Sequence, residues 1–181
     1  MAKVLVLFAH PARHRSRAGV ALQAGLAGMA DVTALDLYET YPDLLIDVAA
    51  EQERLLSHDA LGIQHPFSWY SAPSLVKEWL DLVLEHGFAY GAGADALNGK
   101  PWLQAITTGA RAEVYTPHGV NRFTIAALLR PFEATAHLCG AVWQEPFVLD
   151  AAHLIDAATL ASEAQRYRAR IAALAQSSER G

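Results

Sequence analysis

The chain has 181 residues, with 14 Lys and Arg against 19 Asp and Glu, a formal net charge of -5 and a single cysteine. The acidic balance excludes a general nucleic-acid binder, whose affinity would come from a basic surface. The lone Cys139 excludes an internal disulfide and fits a reducing compartment. A hydrophobic share of 52% allows one domain to bury a sizeable core, and a charged share of only 18% points to faces covered by other elements or by a partner.

Residues 3–9 (KVLVLFA) form a continuous apolar run, the pattern of a strand buried on both faces. His10-Pro11 ends it, because proline cannot extend the ladder. This run does not read as a secretory leader, and no stretch approaches the roughly 20 apolar residues of a membrane span. The expectation is a soluble, cytoplasmic protein. Residues 16–29 read as a helix with apolar positions at Val20, Leu22, Leu26 and Met29; Gly19, Gly25 and Gly28 weaken its propensity but allow close packing. Residues 32–37 (VTALDL) read as a second strand. A loop follows (LYETYPDLLID) with Tyr-Pro-Asp as its turn signal.

Residues 49–57 predict a short helix whose acidic first turn, Glu51 and Glu53, suits the helix dipole. Residues 60–64 predict a third strand, stopped by His65-Pro66. Pro73 suits a first helical turn, and Leu75, Val76, Trp79, Leu80, Val83 and Leu84 carry the helical period to about Glu85. Residues 87–99 are a glycine-rich loop. A fourth strand is predicted at 102–107, ended by Thr108-Gly109. A helix around 123–139 is interrupted or restarted at Pro131. Residues 141–149 predict a fifth strand with a break at Pro146. Asp156 opens a long final helix, which gives way to a polar tail at about 176–181.

The alternation predicts one α/β domain over 1–181, a five-stranded parallel sheet with helices on both faces. Ligands of such sheets bind outside the carboxyl ends of the strands. That rule selects the loops after strands one, three and four. The first (AHPARHRSRAG) offers a helix N-terminus, a hydroxyl at Ser16 and several arginines, the ingredients of a phosphate site. It is neither a Walker loop nor a dinucleotide fingerprint. The second (HPFSWYSAP) places Phe67, Trp69 and Tyr70 together, a platform for a flat ring. The third begins Thr107-Thr108-Gly109-Ala110, small residues that let backbone N–H groups approach a ligand. The histidines show no metal-ligand spacing, so no metal is expected. His65 reads as a strand-end residue bonded to backbone, His153 as one of several scattered histidines, and Cys139 as a packed thiol.

The stretches LFAHPARHRSRAG, YPDLLID with the following EQ, HPFSWYSAP, GFAYG and LNGKPWLQAITTG occur in one order along the chain. Together they resemble the flavodoxin-fold NAD(P)H:quinone oxidoreductases, above all the ancillary oxidoreductases of bacterial glutathione-regulated potassium-efflux systems. The resemblance implies a flavodoxin-like sheet of order 2-1-3-4-5. It implies FMN contacts at His10, at Ser16, Arg17, Ala18 and Gly19, at Phe67, Ser68, Trp69 and Tyr70, and at Thr107, Thr108, Gly109 and Ala110. It implies a ping-pong transfer of hydride from NADPH or NADH through FMN to a quinone-type acceptor, assisted by Tyr115 and His118. It also implies a homodimer, whose interface would cover Tyr38, Tyr41, Phe88 and Tyr90, and docking to a membrane potassium/proton antiporter. Two other readings stand beside this: a regulatory ancillary subunit with little turnover, and an azo- or nitroreductase. The family often has asparagine at the position of Gly19, glutamine at Ser68 and a second glycine at Ala110. The last change matters most if Ala110 must adopt a positive φ.

Overall fold

Strand β1 (Val4–Phe8) is buried at all five positions because it runs through the middle of the sheet. In the computed structural model, which describes residues 2–178, β2 (Val32–Asp36) pairs with one edge of β1 and β3 (Ala60–Pro66) with the other. Strand β4 (Pro101–Thr107) continues the sheet beyond β3. The fifth strand is split into β5 (Val142–Trp143) and β6 (Phe147–Leu149), which pair successively with β4. The break falls at Pro146, which has no N–H to donate to the ladder. All pairings are parallel and the order is 2-1-3-4-5. One expectation is corrected: His65-Pro66 does not stop the third strand. Pro66 pairs with Thr107, and the next ladder bond is donated by the Phe67 N–H to the Thr107 carbonyl.

The sheet sorts its side chains by the two-residue period. Leu5, Leu7, Leu61, Ile63, Trp102 and Ile106 face α3 (Val48–Leu56), α4 (Ser74–Val83) and α6 (Arg130–Leu138). Val4, Val6, Leu103 and Ala105 face α1 (Arg17–Gly25) and α7 (Ala157–Ser178). Short helices α2 (Leu37–Thr40) and α5 (Ile125–Leu128) and three 3-10 turns (Arg13–Arg15, Ser68–Tyr70 and Ala112–Val114) complete the described elements, and Pro131 restarts the chain as the first turn of α6. Helix α1 ends at Gly25 rather than near Met29, since Gly28 turns left-handed at φ 74°. A Cβ on Gly25 would stand 3.1 Å from the Ala164 carbonyl oxygen, so glycine permits the α1–α7 contact. Arg168 closes the end of α1 by donating to the Gly25 and Ala27 carbonyls at 2.7 and 2.9 Å. Of the expected polar tail, 176–178 belong to α7 and 179–181 lie outside the described residues. No helix among the described residues is long and apolar enough to cross a membrane.

Two polar groups interrupt the face beneath α3, α4 and α6. Glu51, in the acidic first turn of α3, is fully buried; it accepts from the Tyr41 hydroxyl at 2.6 Å and the Trp79 indole N–H at 2.9 Å, and pairs with Arg54. Burial, with the bond to Glu51, pushes the Tyr41 phenol up to about 12. Tyr41 is therefore core, and Tyr38, Phe88 and Tyr90 pack half-buried against the same cluster. The expectation that these four aromatics are exposed and need cover is corrected: Tyr41 is buried and the core covers the other three in part.

The second group is His65. Its Nδ1 lies 3.0 Å from the Pro66 carbonyl oxygen and its Nε2 3.0 Å from the Gln104 side-chain amide. The carbonyl accepts, so Nδ1 carries the proton. Burial holds the imidazole pKa below its ordinary value, so the neutral ring accepts at Nε2. Rotating the Gln104 amide then gives its buried NH2 group the partner it otherwise lacks. A pKa depressed on folding stabilises fully above the unfolded value and loses that contribution as pH falls through the folded one. Urea midpoints measured down from neutral pH through the ordinary histidine value of 6.5 should therefore fall faster for the native chain than for His65→Gln. Parallel pH curves would count against a neutral buried His65.

Candidate functional site

Three strand ends converge on one cavity of about 300 Å³, lined by His10, Arg15, Ser16, Arg17, Ala18, Gly19, Pro66, Thr107, Thr108, Gly109, Ala152 and His153. Helix α1 begins there. Its first bonded amide is Val20, which donates to the Ser16 carbonyl at 2.9 Å. The N–H groups of Arg17, Ala18 and Gly19 are therefore left over, at the positive end of the helix dipole. Ser16 is 8% exposed; its hydroxyl lines the cavity, makes no capping bond and has no hydrogen-bond partner among the described residues. A Cβ on Gly19 would lie 2.5 Å from the Ser16 Oγ and 3.1 Å from Phe8. Glycine at this position is thus what lets the Ser16 hydroxyl turn inward.

The arginines of the loop divide by partner. Arg13 points away from the cavity, donating to Asp36 at 2.8 Å and Glu39 at 3.1 Å and lying over the Phe8 ring. Arg17 donates to the Ile155 carbonyl. Arg15 lines the cavity without a partner. His10 accepts the Ala12 N–H at Nδ1, 3.0 Å away, so its neutral ring carries the proton on Nε2. Partial burial lowers its pKa, opposed by Asp36.

The turn after β4 forms the floor. The Thr108 hydroxyl donates to the Ala110 carbonyl at 2.7 Å, and Ala110 also accepts from Ala151. Ala110 is not among the residues with positive φ, so the strain that a missing glycine would impose does not arise. Tyr115 is buried beside this turn, its ring 6.0 Å from that of Phe67. Burial raises its pKa, with the nearby Thr108 side chain opposing. The phenol therefore stays protonated at neutral pH.

The aromatic segment stands beside the cavity rather than in its lining. Phe67 packs on Tyr115 and on the core. Trp69 is 91% exposed, and Tyr70 is also exposed. Both hold left-handed backbone, at φ 51° and 63°, a conformation that costs a non-glycine residue roughly 1 kcal/mol or more. Ser68 accepts the Ser71 N–H and closes this turn. The Tyr70 hydroxyl donates to Asn121 at 3.1 Å and ties the platform to the loop after Tyr115. His118, in that loop, is exposed and has no hydrogen-bond partner. Of the residues expected at the site, His10, Ser16–Gly19 and Thr107–Gly109 share the cavity. Ala110, Tyr115 and Phe67 adjoin it, Ser68, Trp69 and Tyr70 form a projecting wall, and His118 stands outside. The sequence reading missed Ala152 and His153, because their approach depends on the turn after β6.

A doubly wound parallel sheet with free donors at the first helix and an aromatic segment after the third strand defines an α/β protein of the flavodoxin-like class. The chain belongs to a family described as having a flavodoxin-like fold, whose profile matches residues 2–171. It is 45% identical over 165 residues, 91% of this chain and 90% of the relative, to the glutathione-regulated potassium-efflux system ancillary protein KefG of Pectobacterium carotovorum subsp. carotovorum (strain PC1). Among solved structures, general stress protein 14 from Treponema denticola, in complex with FMN, superposes with a TM-score of 0.89 at 36% identity, covering 95% of this chain and 99% of that one. An NADPH-quinone reductase from P. pentosaceus gives a TM-score of 0.86 at 28% identity, covering 93% and 97%.

Proposed function

We propose that this protein binds FMN and catalyses the two-electron reduction of a quinone-type acceptor by NADPH or NADH. The observation that carries the proposal is the Ser16 hydroxyl, which lines the cavity without a hydrogen-bond partner among the described residues, beside the free N–H groups of α1. Free donors gathered at a helix N-terminus suit a phosphate, which accepts from several of them at once. The FMN-bound neighbour of the same fold supports the choice of ligand.

In this reading Ser16, the N–H groups of Arg17, Ala18 and Gly19, Arg15 and His10 hold the phosphate. Thr107, Thr108, Gly109 and Ala110 line the edge of the flavin ring, and Phe67, Ser68, Trp69 and Tyr70 form its wall. When bound, FMN supplies the two-electron chemistry between nicotinamide and quinone. The chain's own contribution is to position, to exclude water and to donate hydrogen bonds. Tyr115, protonated and packed against Phe67, donates toward negative charge developing on the ring beside the 107–110 turn. The position of His118 supports no such role.

The test is spectral. The preparation should be yellow or take up added FMN, bleach with NADPH or NADH and recover with a benzoquinone; a protein that takes up no FMN defeats the proposal. Tyr115→Phe should slow flavin reduction about tenfold or more with little change in FMN affinity. An acceptor panel with azo and nitro compounds fixes the acceptor class.

Two assembly features belong to the same proposal. Leu44, Leu45, Trp69, Tyr70 and Leu82 are exposed, and a second copy covering them gives a homodimer; sedimentation as a monomer at micromolar concentration speaks against it. Similarity to an ancillary protein of a potassium-efflux system favours a second role, docking on the cytosolic part of a potassium/proton antiporter. Co-purification with that part, with and without FMN, tests it.

A further inference from the structure

We infer that His153 is a further phosphate-binding residue of this cavity, delivered by the turn after β6, and that it makes the site select a phosphorylated flavin over riboflavin. The inference rests on the flavin reading above for its ligand, but its geometry is independent of it. Ala151 is left-handed at φ 46° without being glycine. Backbone bonds hold it there: Ala151 N–H to the Ala110 carbonyl at 3.1 Å, Ala152 N–H to Thr108 at 2.9 Å, Leu154 N–H to Ala151 at 2.8 Å, and Thr108 N–H to Leu149 at 3.0 Å. Strain that persists because its surroundings over-determine it is a mark of a functional turn. Its consequence here is that Ala152 and His153 are presented to the cavity that also holds Ser16 and Gly19.

The charges around the cavity leave a place for this residue. Arg13 is committed to Asp36 and Glu39, and Arg17 to the Ile155 carbonyl. Arg15 is the one arginine lining the cavity that has no partner among the described residues. A phosphate carries nearly two charges and has several acceptor positions. His153 is exposed and has no hydrogen-bond or ion-pair partner among the described residues. The two acids of its own turn are occupied elsewhere, Asp150 by the Ala112 N–H at 2.8 Å and Asp156 by Thr159 at the start of α7. His153 is thus a donor with no other claim on it.

The experiment compares native chain, His153→Ala and His153→Arg, titrated with FMN, with riboflavin and, by thermal shift, with inorganic phosphate. His153→Ala should weaken FMN about tenfold, equivalent to about 1.4 kcal/mol, change riboflavin less than about twofold, and lose most of the stabilisation by phosphate. His153→Arg should restore FMN. Equal losses for FMN and riboflavin, or no loss for FMN, overturn the inference. If the native chain binds neither flavin, the FMN reading fails, and the phosphate titration alone decides: stabilisation that His153→Ala abolishes supports the residue's role, and no stabilisation of the native chain overturns it.

Discussion

Glu51→Ala should destabilise the fold by about 3–5 kcal/mol, read as a lower urea midpoint with an unchanged slope. The carboxylate is fully buried and serves three donors on three different segments: Tyr41 in the loop after α2, Arg54 one turn on in α3, and Trp79 in α4. Removing it leaves a phenol and an indole N–H without an acceptor in a low-dielectric core, and each orphaned donor costs about 1–3 kcal/mol. Arg54 is about one-third exposed and can turn to water, so its share is small. Truncation also opens a cavity among Tyr41, Leu55 and Trp79. Against the roughly 5–15 kcal/mol that holds a domain together, such a loss is large. At roughly 2–4 °C per kcal/mol for a chain of this size, the melting temperature should drop by roughly 10 °C. Glu51→Gln keeps an acceptor and should cost less. A loss under about 1 kcal/mol for the alanine variant would mean that the network does not anchor this face. The network also holds the loop that carries Leu44, at φ 64°, and exposed Leu45, so a weakened fold should bring weaker self-association.

Trp69→Gly should weaken flavin binding while leaving stability nearly unchanged. Trp69 sits at φ 51°, ψ 43°, which glycine adopts without strain. Relief of roughly 1 kcal/mol or more is offset in part by the greater freedom of glycine in the unfolded chain. The ring is 91% exposed, so little packing is lost. Unfolding free energy should therefore stay within about 1 kcal/mol of the native value. Flavin affinity should fall about 10- to 100-fold, since stacking on an aromatic side chain contributes about 1–3 kcal/mol. FMN and riboflavin should be affected alike, because the wall meets the ring and not the phosphate. That contrasts with the selective loss expected at His153. Strong destabilisation without loss of flavin would show that Trp69 is structural and the platform reading wrong.

Much of this was legible in the chain itself. The run around Val4–Phe8 and the helical period of Leu75, Val76, Trp79, Leu80 and Val83 follow from burial patterns that need no tertiary knowledge. So does the break at Pro146, because proline cannot donate wherever it is placed. The order of strand, loop and helix then put the first, third and fourth loops at one end of a parallel sheet. Ser16, the aromatic segment and the Thr107–Gly109 turn were found by that rule.

What the sequence could not disclose is which polar groups find partners, since partners distant in the chain are chosen by packing. Arg13 reads as a phosphate cation, yet Asp36, 23 residues away, takes it. Glu51 reads as an acid that suits the dipole at a helix start; that it is also buried, bonded to Trp79 of α4, is decided by packing. Gly19 and Ala110 read as losses from the family pattern, yet Gly19 makes room for the Ser16 hydroxyl and Ala110 adopts ordinary backbone. The sequence by itself determined the parallel α/β sheet and a donor-rich, aromatic-walled end to it. Only the tertiary structure decided which donors there have no partner among the described residues: Ser16, Arg15 and His153 line the cavity without one, while the fold satisfies Arg13 and Arg17 elsewhere.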